Sequence, residues 1–246
     1  MDNAALRRLE SHFLTSSGWR RSIEMNAAVD RHGPVPWFTY PSIRYLSRLV
    51  RPHWRVLEYG SGNSTRWWAA RVAEVVAVEH DPAWANALKR DLPDNVTLVE
   101  RVMDDPVPDD CDTLLREAWF PSGCFGVESP DPTRNYRAGL LDGAYRAYGA
   151  VGLTYPAGHF DVIVVDGMAR ALTAWVAARQ VAPGGLVVFD NADRAEYAKG
   201  YEVLEASGFA RIDFWGLGPI NPYEWCTSIF VRDIATLQHK VVQAHE

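Results

Sequence analysis

The residues best placed to do chemistry in this sequence follow short apolar runs. The first run ends at Glu58 and is followed by the glycine-containing turn Gly60–Gly62. Glycine permits tight backbone angles and lets a ligand approach the main chain closely. A helix is predicted to begin after the turn, near Ser64 or Thr65, with a partial positive charge at its start. The turn therefore predicts a site for an anionic or strongly polar ligand at the end of a strand.

A second apolar run, Val75–Glu79, also ends in an acid. Nucleotide-binding α/β folds place a carboxylate near this position, where it contacts ribose hydroxyls. The dinucleotide fingerprint needs a third glycine, and this sequence has Thr65 there, which weakens a pyrophosphate interpretation. Two alternatives stay open: the glycine turn is purely structural, or Glu79 is a strand-end acid held by backbone N–H groups.

Two later runs complete the pattern, Asp161–Gly167 and, after Ala182–Gly185, Leu186–Asn191. Together and in this order, the four motifs resemble those of the class I S-adenosylmethionine (SAM)-dependent methyltransferases, over about residues 54 to 232. The resemblance implies an α/β fold with a doubly wound, mostly parallel, seven-stranded Rossmann-like sheet that ends in an antiparallel hairpin. It also implies SAM as the cofactor.

The resemblance assigns roles in cofactor binding. The glycine turn would hold the methionine part of SAM with Glu58 supporting the turn, and Glu79 would bind the ribose hydroxyls. His80 and Asp104 would flank the adenine, although Asp104 also fits a solvated turn. The predicted cofactor-binding residues are Tyr40, Glu58, Gly60, Ser61, Gly62, Ser64, Glu79, His80, Asp104 and Asp166.

Asp166, Asp190 and Asn191 are the candidates for catalysis and metal binding. Neighbouring strands lie about 5 Å apart, so strand ends at Asp166 and Asp190 would bring their oxygens together. Such oxygens suit Mg²⁺ or Ca²⁺. The set resembles the metal triad of catechol-type and macrolide-sugar-type O-methyltransferases, where the ion acidifies the methylated hydroxyl. We therefore predict Asp166 and Asp190 as catalytic and all three as metal ligands. Alternatively, Asp190 only ends a strand and Asn191 caps a helix.

The general base is not identified by the sequence. The metal-dependent families place a Lys or His three residues after the first metal Asp, where this sequence has Ala169. Arg170 follows, but an arginine does not give up its proton under ordinary conditions. The remaining candidates are His32, Tyr40 and Asp193, whereas His159 is expected at the opposite end of the sheet.

The elements that must position these residues form one predicted domain, residues 1–246. Residues 1–50 are predicted to form a helical cap, with helices over 3–15 and 42–50 and with Trp37–Tyr40 folding back over the ligand cleft. Residues 106–134 contain prolines, glycines and aromatic residues, which predicts a substrate lid. Two final strands, Phe209–Trp215 and Cys226–Val231, form a predicted hairpin, an ending more typical of methyltransferases than of nicotinamide domains.

Composition narrows the class of protein. The chain has 246 residues and a formal net charge of −6, and its basic residues are scattered. This argues against nucleic-acid and membrane partners. The three cysteines form no CxxC pair, and no apolar run reaches membrane-spanning length. We therefore expect a cytoplasmic enzyme with a small-molecule acceptor, and a homo-oligomer is compatible with the sequence.

The sequence as a whole predicts a SAM-dependent methyltransferase that modifies a small molecule. The predicted target is a hydroxyl of a sugar or natural product, with assistance from a metal as one version of the reaction. Three alternatives stay open: a metal-independent N-methyltransferase, a non-catalytic SAM-binding or partner-binding module, and a nicotinamide oxidoreductase.

Overall fold

A seven-stranded sheet forms the centre of the protein in the computed structural model, which describes residues 3–116 and 143–233. Its strands in chain order are β3 (Arg55–Tyr59), β4 (Glu74–Glu79), β5 (Val96–Glu100), β6 (Phe160–Val165), β7 (Val181–Asp190), β8 (Ala210–Gly216) and β9 (Trp225–Val231). The order across the sheet is β5-β4-β3-β6-β7-β9-β8. The first five of these are parallel, and β9 runs antiparallel to both β7 and β8. The predicted fold class is confirmed.

Apolar residues on both faces explain why these segments form central strands. Along β3, Val56 packs into one hydrophobic core and Leu57 into the other, and both are fully buried. Central strands of parallel sheets are covered on both sides and therefore read as continuous apolar runs. Burying each such side chain contributes about 1.5–3 kcal/mol to stability.

The helices cover both faces of the sheet. They are α1 (Asn3–Leu9), α2 (Trp19–Met25), α3 (Tyr40–Leu49), α4 (Asn63–Ala69), α5 (Pro82–Leu88), α6 (Asp109–Leu114), α7 (Arg146–Ala150), α8 (Arg170–Gln180) and α9 (Ala198–Ala206). Residues of α3 and α4 belong to one core, whereas residues of α7, α8 and α9 belong to the other. No helix within these described parts of the chain is both long and apolar enough to cross a membrane.

The N-terminal part agrees with the sequence in part. The helix α1 continues as a π-helix, Glu10–Thr15, and α3 carries a proline in its first turn as predicted. The sequence did not reveal α2 or the short hairpin of β1 (Val29–Asp30) and β2 (Gly33–Pro34). Two-residue strands are too short to leave an alternating pattern.

The register of the sheet aligns the predicted site residues. Tyr59 pairs with Val78 on one side and with Val165 on the other, and Val165 pairs with Phe189. The residues that follow these four therefore reach the carboxyl edge at the same level: Gly60, Glu79, Asp166 and Asp190. From β3 the chain continues to β4 and β5 on one side of the sheet, and it then returns to form β6 on the other side of β3. Ligands bind at such switch points in open α/β sheets.

Two local predictions differ from the structure. The helix after the glycine turn begins at Asn63 with Gly62 as its cap, so neither Ser64 nor Thr65 has the predicted capping position. The helix predicted to start after Asn191 begins only at Ala198, preceded by a 3₁₀ turn. Asn191 itself has a left-handed backbone, with φ of 54°, which interrupts helical geometry. Of the predicted lid, 106–116 contains α6, and 117–134 lies outside the described residues.

Candidate active site

Two clefts open along the carboxyl edge of the sheet, and Asp166 lines both. The first, which we call the glycine-loop cleft, has a volume of about 310 Å³ and is lined by Glu58, Gly60, Ser61, Ser64, Glu79, His80, Asp81, Trp84, Asp166 and Gly167. The second, the acid-pair cleft, has a volume of about 470 Å³ and is lined by Trp37, Asp166, Asp190, Asn191, Arg194, Asn221, Tyr223 and Trp225. The shared aspartate joins two sites of suitable size for small ligands.

The floor of the glycine-loop cleft is a close contact between two loops. Gly60 has φ of 101°, a conformation that favours glycine. A Cβ atom at Gly60 would lie 3.3 Å from the carbonyl oxygen of Asp166, and one at Gly167 would lie 2.8 Å from the nitrogen of Gly60. The turn after β3 and the turn after β6 can approach this closely only because both positions lack side chains.

Glu58 supports the loop from below, as predicted. Its Oε2 accepts a 2.5 Å hydrogen bond from the Thr65 hydroxyl, and that hydroxyl accepts a 2.9 Å bond from the nitrogen of Gly62. Burial raises the pKa of Glu58 to about 7, against the hydrogen bond from Thr65. Thr65, which takes the place of the third glycine, therefore holds the turn through its hydroxyl.

Glu79 is held by the protein and also faces the cleft. Its Oε1 accepts hydrogen bonds from the nitrogens of His80, at 2.8 Å, and Asp81, at 2.9 Å, and its Oε2 accepts one from Ser61 Oγ at 2.5 Å. Burial alone would raise its pKa, but hydrogen bonds from His80, Ser61 and Asp81 outweigh burial and lower it. Glu79 is therefore a charged carboxylate at neutral pH. Glu79 therefore agrees with both interpretations of the sequence: backbone N–H groups hold it at the strand end, and it lines the cleft.

The wall of this cleft contains a tryptophan that the sequence analysis missed. Trp84 Nε1 donates a 3.0 Å hydrogen bond to the carbonyl oxygen of Ser61, while 48% of Trp84 remains exposed. Asp81 caps α5, because its Oδ1 accepts hydrogen bonds from the backbone nitrogens of Ala83 and Trp84. This cap was a usable signal, since it places the first turn of α5, including Trp84, at the sheet edge.

His80 stands beside a group of aromatic rings. Its Nδ1 lies 3.0 Å from Glu79 Oε1, and its ring meets Tyr145 edge to face at 5.8 Å and Tyr148 at 6.3 Å between centroids. These contacts fix the imidazole at the side of the cleft. A flat ligand ring could pack against such a surface.

Asp190 is the most deeply buried acid of the acid-pair cleft. It is 3% exposed, and its Oδ1 accepts hydrogen bonds from Trp225 Nε1 at 3.0 Å and Thr227 Oγ1 at 2.6 Å. Burial, together with the negative charge of Asp166, raises the pKa of Asp190 to about 7. Burial raises the pKa of Asp166 to about 6, against the positive charge of Arg170. This edge of the sheet therefore carries two carboxyl groups that titrate near neutrality.

Arg170 supplies the positive charge between these two strand ends. Its Nε donates to the carbonyl oxygen of Gly167 at 3.1 Å, and one terminal nitrogen donates to that of Asp190 at 2.5 Å. The other terminal nitrogen donates to both the carbonyl oxygen and Oδ1 of Asp166, at 3.1 and 3.0 Å. The guanidinium thus bridges β6 and β7.

The predicted metal ligation by Asp166, Asp190 and Asn191 stays a prediction, and an arginine already occupies part of this edge of the sheet. Asp166 Oδ1 and Asp190 Oδ1 already accept hydrogen bonds from protein donors, and a guanidinium lies against the first of them. Within residues 3–116 and 143–233, no cluster of three or more His, Cys, Asp or Glu side chains could hold a metal. Asn191 lines the acid-pair cleft together with Asp166 and Asp190.

The rest of the acid-pair cleft comes from distant parts of the chain. Trp37 lines it, in accord with the predicted folding back of Trp37–Tyr40. Arg194 follows β7, and Asn221, Tyr223 and Trp225 come from the connection between β8 and β9 or its end. These residues could not be identified from the sequence, because the connection shows no periodic pattern.

Several predicted residues lie outside both linings. Tyr40 packs edge to face against Phe13, with centroids 6.4 Å apart, and burial raises its pKa to about 12, which makes it a poor base. Gly62 serves the loop only through its backbone. Asp104 is exposed with a left-handed backbone, and its nitrogen donates to the carbonyl oxygen of Ala144. The adenine role of Asp104 stays a prediction.

The alternative bases also have other partners. The exposed His32 accepts a hydrogen bond from Arg31, and Asp193 accepts one from the nitrogen of Cys226. His159 lies 3.3 Å from Glu74, which begins β4, so it occupies the amino-terminal edge as predicted.

The fold is similar to that of known methyltransferases. No model of a known protein family matches the sequence, and no curated protein matches it. The structure of precorrin-6y C5,15-methyltransferase from Geobacter metallireducens GS-15 is similar, with a TM-score of 0.50 and 14% identity over 86% of this chain and 96% of that one. Precorrin 8w decarboxylase from Methanobacterium thermoautotrophicum has a TM-score of 0.48 and 15% identity, over 84% and 97% of the two chains.

A third similar structure is 1,6-didemethyltoxoflavin-N1-methyltransferase from Burkholderia thailandensis, with bound S-adenosylhomocysteine. Its TM-score is 0.45 at 15% identity, over 94% of this chain and 89% of that one. The strand order, the terminal hairpin and the similarity to the Geobacter structure agree. The chain therefore has the Rossmann-like fold of SAM-dependent methyltransferases.

Proposed function

We propose that this protein transfers a methyl group from SAM to a hydroxyl of a small molecule, such as a sugar or a natural product. The observation that carries the proposal is the pair of adjoining clefts that meet at Asp166. A methyl transferase needs a donor site and an acceptor site that open toward one another, because the reaction is an in-line displacement. The fold alone does not assign a substrate.

The glycine-loop cleft is the proposed donor site. Its residues suit SAM, because the close backbone contact at Gly60 exposes main-chain groups and the charged Glu79 can accept hydrogen bonds from ribose hydroxyls. The ring of His80 offers its edge to the adenine, and Ser64 offers a hydroxyl to the methionine part. When bound, SAM supplies an electrophilic methyl group on its sulfonium.

The acid-pair cleft is the proposed acceptor site. Asp190 uses Oδ1 for Trp225 and Thr227, which leaves Oδ2 to accept the proton of the acceptor hydroxyl. The oxygen then forms the new bond to the methyl carbon as the carbon–sulfur bond breaks, and S-adenosylhomocysteine leaves with the sulfur electron pair. A base with a pKa near 7 matches the requirement of general base catalysis at neutral pH. Asp166 lies at the junction and orients the acceptor.

An amine is the second candidate acceptor. Two carboxyl groups share the cleft with the rings of Trp37, Tyr223 and Trp225. Aromatic faces and carboxylates are the groups that hold an ammonium ion. In this version Asp190 binds the amine and removes its proton before transfer.

Calorimetry on the full chain tests the donor assignment. We expect micromolar affinity for SAM and S-adenosylhomocysteine, the range common for enzyme ligands, and no comparable affinity for NAD. Preference for NAD would overturn the proposal. Methyl-tritiated SAM is then incubated with catechol, which carries two hydroxyls, or with o-phenylenediamine, which carries two amines in the same positions. The acceptor that takes up label shows whether the protein methylates a hydroxyl or an amine.

A further inference from the structure

Arg170 occupies an unusual position for a buried cation. It is the first residue of α8, and its side chain is only 8% exposed. The first turn of a helix carries a partial positive charge, which disfavours a cation there. Burying an unpaired charge is also costly. The surroundings of Arg170 must therefore supply strong compensation.

That compensation comes from oxygens of the kind that bind hard metal ions. The guanidinium donates hydrogen bonds to three backbone carbonyl oxygens, those of Asp166, Gly167 and Asp190. It also donates to one carboxylate oxygen of Asp166. Carbonyl and carboxylate oxygens are the usual ligands of Ca²⁺, and Mg²⁺ also prefers oxygen. The planar guanidinium can satisfy several of them at once because its donors form a rigid fork.

The same contacts connect the two strand ends. Carbonyl oxygens at the carboxyl ends of β6 and β7 accept hydrogen bonds from Arg170, which therefore bridges the two strand ends. Its guanidinium also lies over the ring of Tyr197, with 4.5 Å from Cζ to the ring centroid. This packing keeps the guanidinium buried in one position.

We propose that Arg170 is a built-in cation that takes the place of a divalent metal ion at the ends of β6 and β7. Resting on the proposed function, the inference means that methyl transfer here is metal-independent. Arg170 is a positioning residue: it holds Asp166 and the Asp190 strand end in place beside the acceptor cleft.

Mn²⁺ binding, measured by electron paramagnetic resonance on the full chain, tests the inference without any need for activity. We expect the wild-type protein to show no saturable Mn²⁺ site at neutral pH. Arg170→Gln removes the charge and leaves the oxygens, so it should bind one Mn²⁺ at least tenfold more tightly than wild type. Adding Asp166→Asn to Arg170→Gln should remove that site, because Asp166 supplies its only carboxylate oxygen. Arg179→Gln is the matched control, because Arg179 lies exposed near the other end of the same helix and contacts Trp175.

Thermal unfolding gives a second readout. Because a ligand that binds the folded state stabilises it, 10 mM Mg²⁺ should raise the Tm of Arg170→Gln but not that of wild type or Arg179→Gln. A single saturable Mn²⁺ site in wild type that Asp190→Asn abolishes would overturn the inference. So would a folded Arg170→Gln protein that gains no site. If Arg170→Gln does not fold, the inference is tested by wild type and by Arg170→Lys, which keeps the positive charge. Neither protein should bind Mn²⁺. Loss of methyl transfer would concern the proposed function, whereas these binding results concern Arg170.

Discussion

The hydroxyl of Ser61 lies 2.5 Å from Oε2 of Glu79, so the carboxylate predicted to bind a ribose already has a donor within the protein. The remaining oxygen of Glu79 accepts from the backbone nitrogens of His80 and Asp81. A ribose hydroxyl must therefore share Oε2 with Ser61 or displace it. Hydrogen bonds from His80, Ser61 and Asp81 hold the Glu79 carboxylate in its charged form.

Removing the Ser61 hydroxyl should strengthen nucleoside binding. In Ser61→Ala, Oε2 of Glu79 has no competing donor, and a net hydrogen bond contributes about 0.5–1.5 kcal/mol. We expect calorimetry to show SAM affinity about two- to twelvefold tighter. Glu79→Ala, in contrast, should weaken it by about 1–3 kcal/mol because the ribose hydroxyls lose their acceptor. A Ser61→Ala protein with tenfold weaker affinity would mean that Ser61 contacts the ligand directly.

Trp84 should stabilise the loop that holds the ligand. Trp84→Phe keeps an aromatic ring but removes the hydrogen bond to the Ser61 carbonyl oxygen. We expect SAM affinity to fall about two- to tenfold with little change in Tm, because Trp84 is half exposed. Trp215→Phe is the control, since Trp215 is equally exposed but lies outside both cleft linings. Equal loss of affinity in both variants would contradict this role.

Asp190 should control the pH dependence of turnover. Its pKa is raised to about 7, and a base must be ionised to accept a proton. We therefore expect kcat to fall about tenfold per pH unit below about pH 7 and to level off above it. Asp190→Asn should lower kcat by about 10²–10⁴-fold while SAM affinity changes little. Asp213→Asn, on β8 and outside both linings, serves as the control. A pH-independent rate for wild type would exclude Asp190 as the base.

Glu58 should make stability depend on pH. Its pKa is about 7 in the folded protein, above the usual value of 4.5, so the folded state binds the extra proton. The free energy of unfolding contributed by this group is therefore highest below about pH 4.5 and falls as the pH rises to about 7. At about 1.4 kcal/mol per pKa unit, the loss is of order 3–4 kcal/mol.

Urea denaturation of wild type and Glu58→Gln at pH 5 and pH 8 measures this effect. The glutamine does not titrate. The free energy of unfolding of Glu58→Gln should therefore rise relative to that of wild type between pH 5 and pH 8. The comparison within each pH removes the contribution of other titrating groups. A difference that is the same at both values would mean that Glu58 has an ordinary pKa.

The sequence by itself determined the sheet and the row of polar residues at its edge. Continuous apolar runs such as Val75–Val78 predict strands buried on both faces, and an acid or glycine at the end of each run predicts the carboxyl edge. Because parallel strands align their ends, the sequence alone places Gly60, Glu79, Asp166 and Asp190 together. The hairpin at the C-terminus was likewise visible as two short strands.

Only the tertiary structure decided which partner each polar group has. The sequence placed Asp166, Asp190 and Asn191 together and suggested a metal, but in the structure Arg170 donates to the Asp166 carboxylate and to the backbone carbonyl oxygen of Asp190. It also could not show that Tyr40 turns toward Phe13, or that Tyr223 reaches the acid-pair cleft from a distant connection. The physical reason is that strands and turns depend on local hydrophobic periodicity and backbone preference, whereas a hydrogen bond or ion pair depends on distances between residues far apart in the chain.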